Sequence, residues 1–146
     1  MITKIRHTGV VVRDLVRSLD FYEGLGFKLS SRQIEQGNFI DQVVGLKKVK
    51  VETAKLESPC GGMLELLQYH SHQIGKEKNN QKSNQLGCSH IAFSVASIES
   101  SIRKIKQLGG SCLNDPSLSL CGKYLVAYCH DIEGCLIEIV EETKNG

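Results

Sequence analysis

The stretch Ser89-His90-Ile91-Ala92-Phe93-Ser94-Val95 decides the fold, because it repeats an earlier stretch of the same chain. The earlier stretch is Arg6-His7-Thr8-Gly9-Val10-Val11-Val12, which also places a histidine at the start of a short apolar run. Several apolar and small residues after each histidine keep the separation of 83 positions that divides His7 from His90. Because β-branched residues at this density are typical of strands, the chain is predicted to contain one structural unit twice.

Each half of the chain ends in a second apolar run that carries a single acid. These runs are Leu64-Glu65-Leu66-Leu67 and Ile137-Glu138-Ile139-Val140. Burying an unpaired carboxylate is expensive or forces its protonation. Two such acids, together with two histidines on corresponding first strands, are explained most simply by a divalent metal ion. The predicted metal ligands are His7, Glu65, His90 and Glu138.

The spacing of apolar residues along the rest of the chain predicts the order β-α-β-β-β in each half. Residues 5–12 and 88–95 are predicted strands, and each is followed by a helix with an apolar stripe. Asp14 is the predicted N-cap of the first helix, which carries Leu15, Leu19 and Tyr22 at helical spacing. Residues 39–45 fit either a short helix or a covering loop. Later strands are predicted over 49–56, 63–69, 125–129 and 135–140.

Length and composition predict an ordinary globular protein. The 146 residues suit a single domain, 1–146, with a first module over 5–69, a polar linker over 70–87 and a second module over 88–142. A formal net charge of +2 is too small to indicate a nucleic-acid partner. Since no apolar run approaches the roughly 20 residues that cross a bilayer, no membrane partner is predicted.

The N-terminal residues and the cysteines predict a cytoplasmic protein. Residues 1–6 contain no apolar segment before a cleavage site, so no secretory signal is predicted. The six cysteines include no C-x-x-C pair. In a reducing compartment they are expected to be free structural thiols.

The strand period of two predicts an open face beside each histidine. Gly9 and Val11 share the face of His7, while Ala92 and Ser94 share the face of His90. These small residues leave room for water and substrate above a metal ion. Two imidazoles and two carboxylates with open positions suit Zn²⁺, Ni²⁺, Co²⁺, Mn²⁺ or Fe²⁺.

Other ionisable residues have open roles. Glu52 is either an inward-facing acid beside Lys50 or a solvated acid on a strand face. The second interpretation is favoured, because charged residues are rarely buried. His70 and His72 lie at the entry to a polar loop, which favours a surface role over metal ligation.

The sequence resembles the vicinal oxygen chelate superfamily over residues 5–142. The resemblance rests on residues 7–27, 64–69, 89–95 and 131–138. It implies an α+β glyoxalase-like fold, in which two tandem β-α-β-β-β modules form a partly open barrel around the metal. Metal-binding members place ligands where His7, Glu65, His90 and Glu138 stand. Members commonly pair, so a homodimer is predicted, and the ligands of one site can come from one chain or from two.

Members of the superfamily catalyse several different reactions, so membership alone does not decide the reaction of this chain. The first expectation is a metal-dependent epimerase or isomerase of a small substrate with vicinal oxygens. It would remove a proton next to a carbonyl while the enediolate is held on the metal. Glu138 is the first choice for the base, with Glu65 its counterpart. The alternatives are a glyoxalase I-type lactoylglutathione lyase and a non-catalytic binding protein of the drug-resistance type.

Overall fold

The computed structural model describes residues 1–75 and 79–143 and divides the chain into two compact units. The first unit spans Met1–Glu77 and the second spans Lys78–Gly146. Part of the predicted linker, residues 76–78, lies outside the described residues. Each unit contains helix and its own β-sheet, as the sequence repeat predicted.

The first unit contains a four-stranded sheet. Its elements are β1 (Thr8–Val11), α1 (Leu15–Gly24), β2 (Lys28–Gln36), α2 (Asn38–Val44), β3 (Lys50–Glu57) and β4 (Met63–Tyr69). The strand order is β1-β4-β3-β2. Only β1 and β4 run parallel among these described pairings, so the first strand of the unit lies beside its last.

The second unit repeats this arrangement in a five-stranded sheet. Its elements are β5 (Ile91–Ser94), α3 (Ile98–Gln107), β6 (Ser111–Cys112), β7 (Ser117–Leu118), β8 (Tyr124–His130) and β9 (Leu136–Glu142). The order is β5-β9-β8-β6, and β7 also pairs with β8. The first strand again runs parallel to the last. The sequence did not locate β6 and β7, because two residues are too few to show a strand period.

Helix α1 packs on the sheet of the first unit through the predicted apolar stripe. Leu15, Leu19 and Tyr22 are all buried, and the helix contacts β2, β3 and β4. Asp14 is its N-cap, because the Oδ1 atom accepts a hydrogen bond of 3.1 Å from the backbone N–H of Arg17. None of the helices in the described part of the chain is long and apolar enough to span a bilayer.

A second acceptor, a side chain from the sheet, meets the backbone N–H of the first residue of α1 and of α3. The backbone N–H of Leu15 donates to Oε1 of Gln68 over 2.8 Å. In the second unit the N–H of Ile98 donates to Oε2 of Glu141 over 2.7 Å. Gln68 follows Glu65 along β4 at the same interval that separates Glu141 from Glu138 along β9. The structural repeat therefore includes the anchoring of the helices, which the sequence analysis did not find.

Helix α2 covers one end of the first sheet. Residues 39–45 fitted a helix or a loop, and the structure shows a helix whose C-cap is Gly45 in the left-handed conformation, with φ 71°. Ile40 is buried against Val51, and Leu67 and Tyr69 pack against the same cluster. Leu67 and Tyr69 share their sheet face with Glu65, as predicted from the strand period.

Two of the six cysteines form a disulfide, so the prediction of free thiols is wrong for this pair. Cys112 on β6 and Cys129 on β8 are directly opposed in the antiparallel ladder, and their sulfur atoms are bonded. The sequence could not show this, because β6 was not located. Cys60, Cys88, Cys121 and Cys135 are free.

Candidate functional site

His7 and Glu65 form a side-chain pair in the first unit. The Nε2 atom of His7 lies 3.0 Å from Oε2 of Glu65. Glu65 is the Cα partner of Gly9 in the parallel ladder between β1 and β4. Because residues two apart in an extended chain share a face, His7 reaches across to the acid from the end of β1. The side chains are 31% and 14% exposed, so the pair remains open to solvent on the histidine side.

His90 and Glu138 form the corresponding pair in the second unit. The Nε2 atom of His90 lies 2.9 Å from Oε2 of Glu138. Here Glu138 is the Cα partner of Ala92, again two residues after the histidine. Each unit therefore builds its pair through the same register of its first and last strands.

The face beside each histidine is the open one. Gly9 and Val11 are exposed, whereas Val10 between them is buried. In the second unit Ala92 and Ser94 are exposed as well. The predicted placement of these side chains on the histidine face is therefore confirmed for each strand, and they are exposed there.

The structure brings the four predicted ligands together as two pairs, one in each unit. Within residues 1–75 and 79–143 no group of three or more His, Cys, Asp or Glu side chains is placed to hold a metal ion. The shared set of four ligands stays a prediction. The chemistry of each pair fits it, because an imidazole nitrogen and a carboxylate oxygen are donors that first-row divalent metals accept.

Lys55 lies directly beside the first pair. It is the Cα partner of Glu65 in the antiparallel ladder between β3 and β4. Its Nζ atom lies 3.7 Å from Oε1 of Glu65, and its side chain is 40% exposed. One oxygen of Glu65 therefore faces His7 and the other faces a lysine cation.

Tyr128 holds the equivalent position beside the second pair. It is the Cα partner of Glu138, and its hydroxyl lies 3.4 Å from Nδ1 of His90. The Ser89 hydroxyl also lies 3.2 Å from this Nδ1 atom. An imidazole whose Nδ1–H donates to a hydroxyl presents the lone pair of Nε2, which is the form that binds metal.

Lys55, Tyr128 and Ser89 were missed in the sequence. For Lys55 a signal existed, since reflecting the predicted hairpin about Cys60 pairs Lys55 with Glu65. For Tyr128 the same signal existed, since reflecting the second hairpin about Glu133 pairs Tyr128 with Glu138.

Glu52 lies on the opposite face of the first sheet from Glu65. Its Cα partner is Gln68, and its carboxylate is bonded to Nε of Arg32 over 2.7 Å and to Nε2 of His70 over 2.8 Å. The hydrogen bond from His70, helped by Arg32, holds the pKa of Glu52 below its usual value of 4.5, against the opposing effect of burial. Glu52 shares its strand face with Lys50 by the strand period, and it is not a freely solvated acid, because its side chain is 14% exposed and paired with Arg32 and His70.

The two loop histidines and Lys50 have no part in either pair. Nδ1 of His72 lies 3.0 Å from the Ser71 hydroxyl, and the backbone N–H of Lys50 donates to the same oxygen over 2.8 Å. The Lys50 side chain is exposed at the start of β3. The surface role favoured for His72 is consistent with these contacts.

The comparison with protein families assigns the chain to a class. Residues 4–139 match the Glyoxalase/Bleomycin resistance protein/Dioxygenase superfamily. The matched range contains both His–Glu pairs and almost all of the two sheets. The chain therefore belongs to this superfamily, as its resemblance to the vicinal oxygen chelate proteins implied.

Two curated relatives carry the name of one reaction. The chain is 30% identical over 140 residues to "Probable lactoylglutathione lyase" from Synechocystis sp., covering 94% of this chain and 95% of the relative. It is 28% identical over 150 residues to "Lactoylglutathione lyase" from Pseudomonas aeruginosa, covering 96% and 83%.

Solved structures of low sequence identity share the fold. A glyoxalase family protein from Bacillus cereus is 24% identical, with a TM-score of 0.89 and coverage of 97% of this chain and 95% of that one. The fosfomycin resistance protein FosX from Listeria monocytogenes, complexed with Mn(II) and sulfate, is 16% identical, with a TM-score of 0.59 and coverage of 99% and 97%. The predicted α+β glyoxalase-like fold is thereby confirmed.

Proposed function

We propose that the chain is a metal-dependent epimerase or isomerase that removes a proton from a carbon next to a carbonyl group. The observation that carries the proposal is the repeated register, which brings a histidine Nε2 within 3.0 Å of a carboxylate oxygen in each unit. Membership of a superfamily that contains many enzymes supports it. The substrate is a small molecule with two neighbouring oxygens.

The residues proposed to hold the divalent metal ion are His7, Glu65, His90 and Glu138. Zn²⁺, Ni²⁺, Co²⁺, Mn²⁺ and Fe²⁺ all suit nitrogen and carboxylate donors, and the structural neighbour FosX was crystallised with Mn(II). When bound, the ion supplies Lewis-acid polarisation of the substrate oxygens. This contribution is needed, because one positioned base gives about 10²–10⁴-fold acceleration and enzymes typically reach 10⁶-fold or more.

Glu138 is the proposed base. The second oxygen of Glu65 faces the Lys55 cation. By contrast, no lysine or arginine within residues 1–75 and 79–143 forms an ion pair with Glu138. Glu138 can therefore accept a proton on the carboxylate oxygen that does not face His90. Glu65 is the proposed counterpart, and return of a proton by this second carboxylate to the opposite face of the intermediate would invert the carbon.

The second candidate is a glyoxalase I-type lactoylglutathione lyase. Two curated relatives that cover most of the chain carry this name. The acid at position 65 agrees with the ligand set of glyoxalase I-type members, which the sequence resembles. Both candidates share the abstraction of a proton by a carboxylate, so the two His–Glu pairs serve either reaction.

The metal claim is tested by elemental analysis of the purified protein and of Glu138→Gln. Native protein is expected to retain a divalent metal through desalting, and the variant to lose most of it. Glu142→Gln is the matched control, because it removes an exposed acid from the same strand. A native protein without metal affinity contradicts the proposal.

The reaction is tested by incubating the metal-loaded protein with candidate substrates in D₂O. Deuterium at the α-carbon without thioester formation supports the epimerase or isomerase. Thioester formation from methylglyoxal and glutathione supports the lyase instead. Binding of substrates without exchange or thioester formation would establish the non-catalytic alternative.

We also propose a homodimer. The strands β1 and β5 each form an edge of their sheet, and exposed edges are usually covered in native proteins. Sedimentation equilibrium measures the state directly, and a mass near the 16.1 kDa of one chain contradicts the proposal.

A further inference from the structure

The equivalent positions beside the two acids carry different chemistry. Lys55 is the cross-strand partner of Glu65, and Tyr128 is the cross-strand partner of Glu138. Both side chains stand on the face that carries a His–Glu pair, since directly opposed residues share a face. The first unit therefore presents a cation where the second presents a neutral phenol.

The two neighbours also use their polar atoms differently. The Tyr128 hydroxyl lies beside Nδ1 of His90, so it supports a predicted ligand. The Nζ atom of Lys55 lies 3.7 Å from Glu65, which is longer than a hydrogen bond, and the side chain keeps 40% of its exposure. Because an ammonium on a four-carbon stem is mobile and carries three donors, Lys55 can meet a second anion while it remains near Glu65.

The charge of the proposed metal site makes a second anion favourable. Two glutamate carboxylates balance the charge of a divalent ion, and neutral imidazoles add nothing. Lys55 then leaves the site with one positive charge that no ligand of the metal compensates. An unbalanced cation beside an open face attracts an anionic ligand.

We propose that Lys55 binds an anionic group of the substrate, next to the two oxygens that approach the metal. The inference rests on the proposed function, and it assigns the substrate to the α-hydroxycarbonyl compounds that carry a phosphate, phosphonate or carboxylate. Lys55 is a specificity residue in this reaction, whereas Glu138 moves the proton.

The experiment compares two probes that differ by one anionic group. Dihydroxyacetone phosphate and dihydroxyacetone both offer a hydroxyl beside a carbonyl, but only the first carries a phosphate. Their dissociation constants are measured on Mn²⁺-loaded protein by the change in water proton relaxation. The proteins compared are the native chain, Lys55→Gln, Lys55→Arg and Lys50→Gln. The last variant removes the same charge from an exposed position on the same strand.

The Lys55→Gln variant is expected to bind dihydroxyacetone phosphate about tenfold more weakly than native protein, since a charge-assisted hydrogen bond is lost. Its affinities for Mn²⁺ and for dihydroxyacetone should stay within about threefold of native. Lys55→Arg should restore most of the phosphate preference, and Lys50→Gln should leave it intact.

Two results overturn the inference, and they separate it from the proposed function. In the first result, native protein binds Mn²⁺ and Lys55→Gln prefers the phosphate probe as strongly as native protein does. This result overturns the role of Lys55 and leaves the metal proposal standing. Native protein that binds no Mn²⁺ overturns the proposed function, and the inference falls with it.

Discussion

His7 and His90 reach their carboxylates through one shared register, because each stands two residues before the Cα partner of the acid. The resulting distances are 3.0 and 2.9 Å. If both are ligands of one metal ion, His7→Ala and His90→Ala should weaken metal affinity equally, each by at least about 100-fold, since even residues outside the ligand shell cost 10–100-fold. Competition with a chelating dye measures both affinities.

The control for this prediction is His72→Ala, which removes an imidazole bonded to a neighbouring serine. Its metal affinity should equal that of native protein. A large loss in only one of the two ligand variants would mean that a single pair binds the metal and that the other pair has a different purpose.

The hydroxyl groups beside His90 should tune the affinity for metal more mildly. The Ser89 and Tyr128 hydroxyls lie 3.2 and 3.4 Å from Nδ1 and can both accept its proton. Removing both, in Ser89→Ala combined with Tyr128→Phe, leaves Nδ1 without these acceptors and should cost about tenfold in metal affinity. Either single variant should cost less, because the other hydroxyl remains. An unchanged affinity in the double variant would show that neither hydroxyl orients the ring.

Gln68 should contribute to stability through the start of α1. Its Oε1 atom accepts the N–H of the fully buried Leu15 over 2.8 Å. Gln68→Ala leaves that donor without its acceptor, so the free energy of unfolding should fall by about 1–2 kcal/mol in urea titrations. Gln68→Glu, which copies the acceptor that Glu141 provides in the second unit, should keep most of the stability. If both variants unfold alike, the hydrogen bond is not what Gln68 contributes.

Local patterns in the sequence were enough to predict much of the fold. Asp14 was predicted as an N-cap from its side chain and position, and both depend only on nearby residues. The strand Met63–Tyr69 was predicted with its ends, because Pro59 and Gly61 mark the turn that precedes an apolar run. The duplication placed a histidine and an acid at equal points of each unit, but the sequence grouped all four as ligands of one metal ion and did not predict a separate pair in each unit.

Features that depend on pairing between strands that no short turn joins were beyond the sequence. The bond between Cys112 and Cys129 requires β6 to lie against β8, and a two-residue strand has no period to reveal it. The contact of Glu52 with Arg32 requires β2 to lie beside β3, and the helix α2 separates these two strands in the chain. The bonds of Glu52 to Arg32 and His70 join β3 to β2 and to the residue after β4, and no local sequence pattern connects these three positions.

Glu52 should make stability depend on pH in the acidic range. Because the contacts with His70 and Arg32 lower its pKa below 4.5 in the folded chain, the unfolded chain binds the proton more readily. The contribution to stability is therefore present above pH 4.5 and is lost as the pH falls through the folded pKa.

The measurement is urea unfolding between about pH 6 and about pH 3. Native protein should lose more stability over this range than Glu52→Gln, whose amide does not titrate. The exposed Glu57→Gln on the same strand is the control and should follow native protein. Parallel curves for native protein and Glu52→Gln would refute this role of Glu52.

The free cysteines should differ in their reactivity towards iodoacetamide. The Ser58 and Ser119 hydroxyls lie 3.1 and 3.3 Å from the sulfur atoms of Cys60 and Cys121, and these hydrogen bonds lower the pKa of both exposed thiols. Burial, with the Asp131 carboxylate nearby, raises the pKa of Cys135 to about 12.

Since the thiolate is the nucleophile, the order of alkylation at neutral pH follows these shifts. Cys60 and Cys121 should be modified first and Cys135 last, as peptide mass spectrometry can follow over time. The matched variants Ser58→Ala and Ser119→Ala should each slow only the cysteine of their own turn, because the Ser58 hydroxyl contacts no sulfur but that of Cys60 and the Ser119 hydroxyl none but that of Cys121 among the described contacts. Each hydroxyl also accepts a backbone N–H of its own turn. Equal rates at Cys60 with and without the Ser58 hydroxyl would mean that exposure alone controls the reaction. Slow modification of Cys135 would then reflect its burial in the second unit rather than thiol acidity.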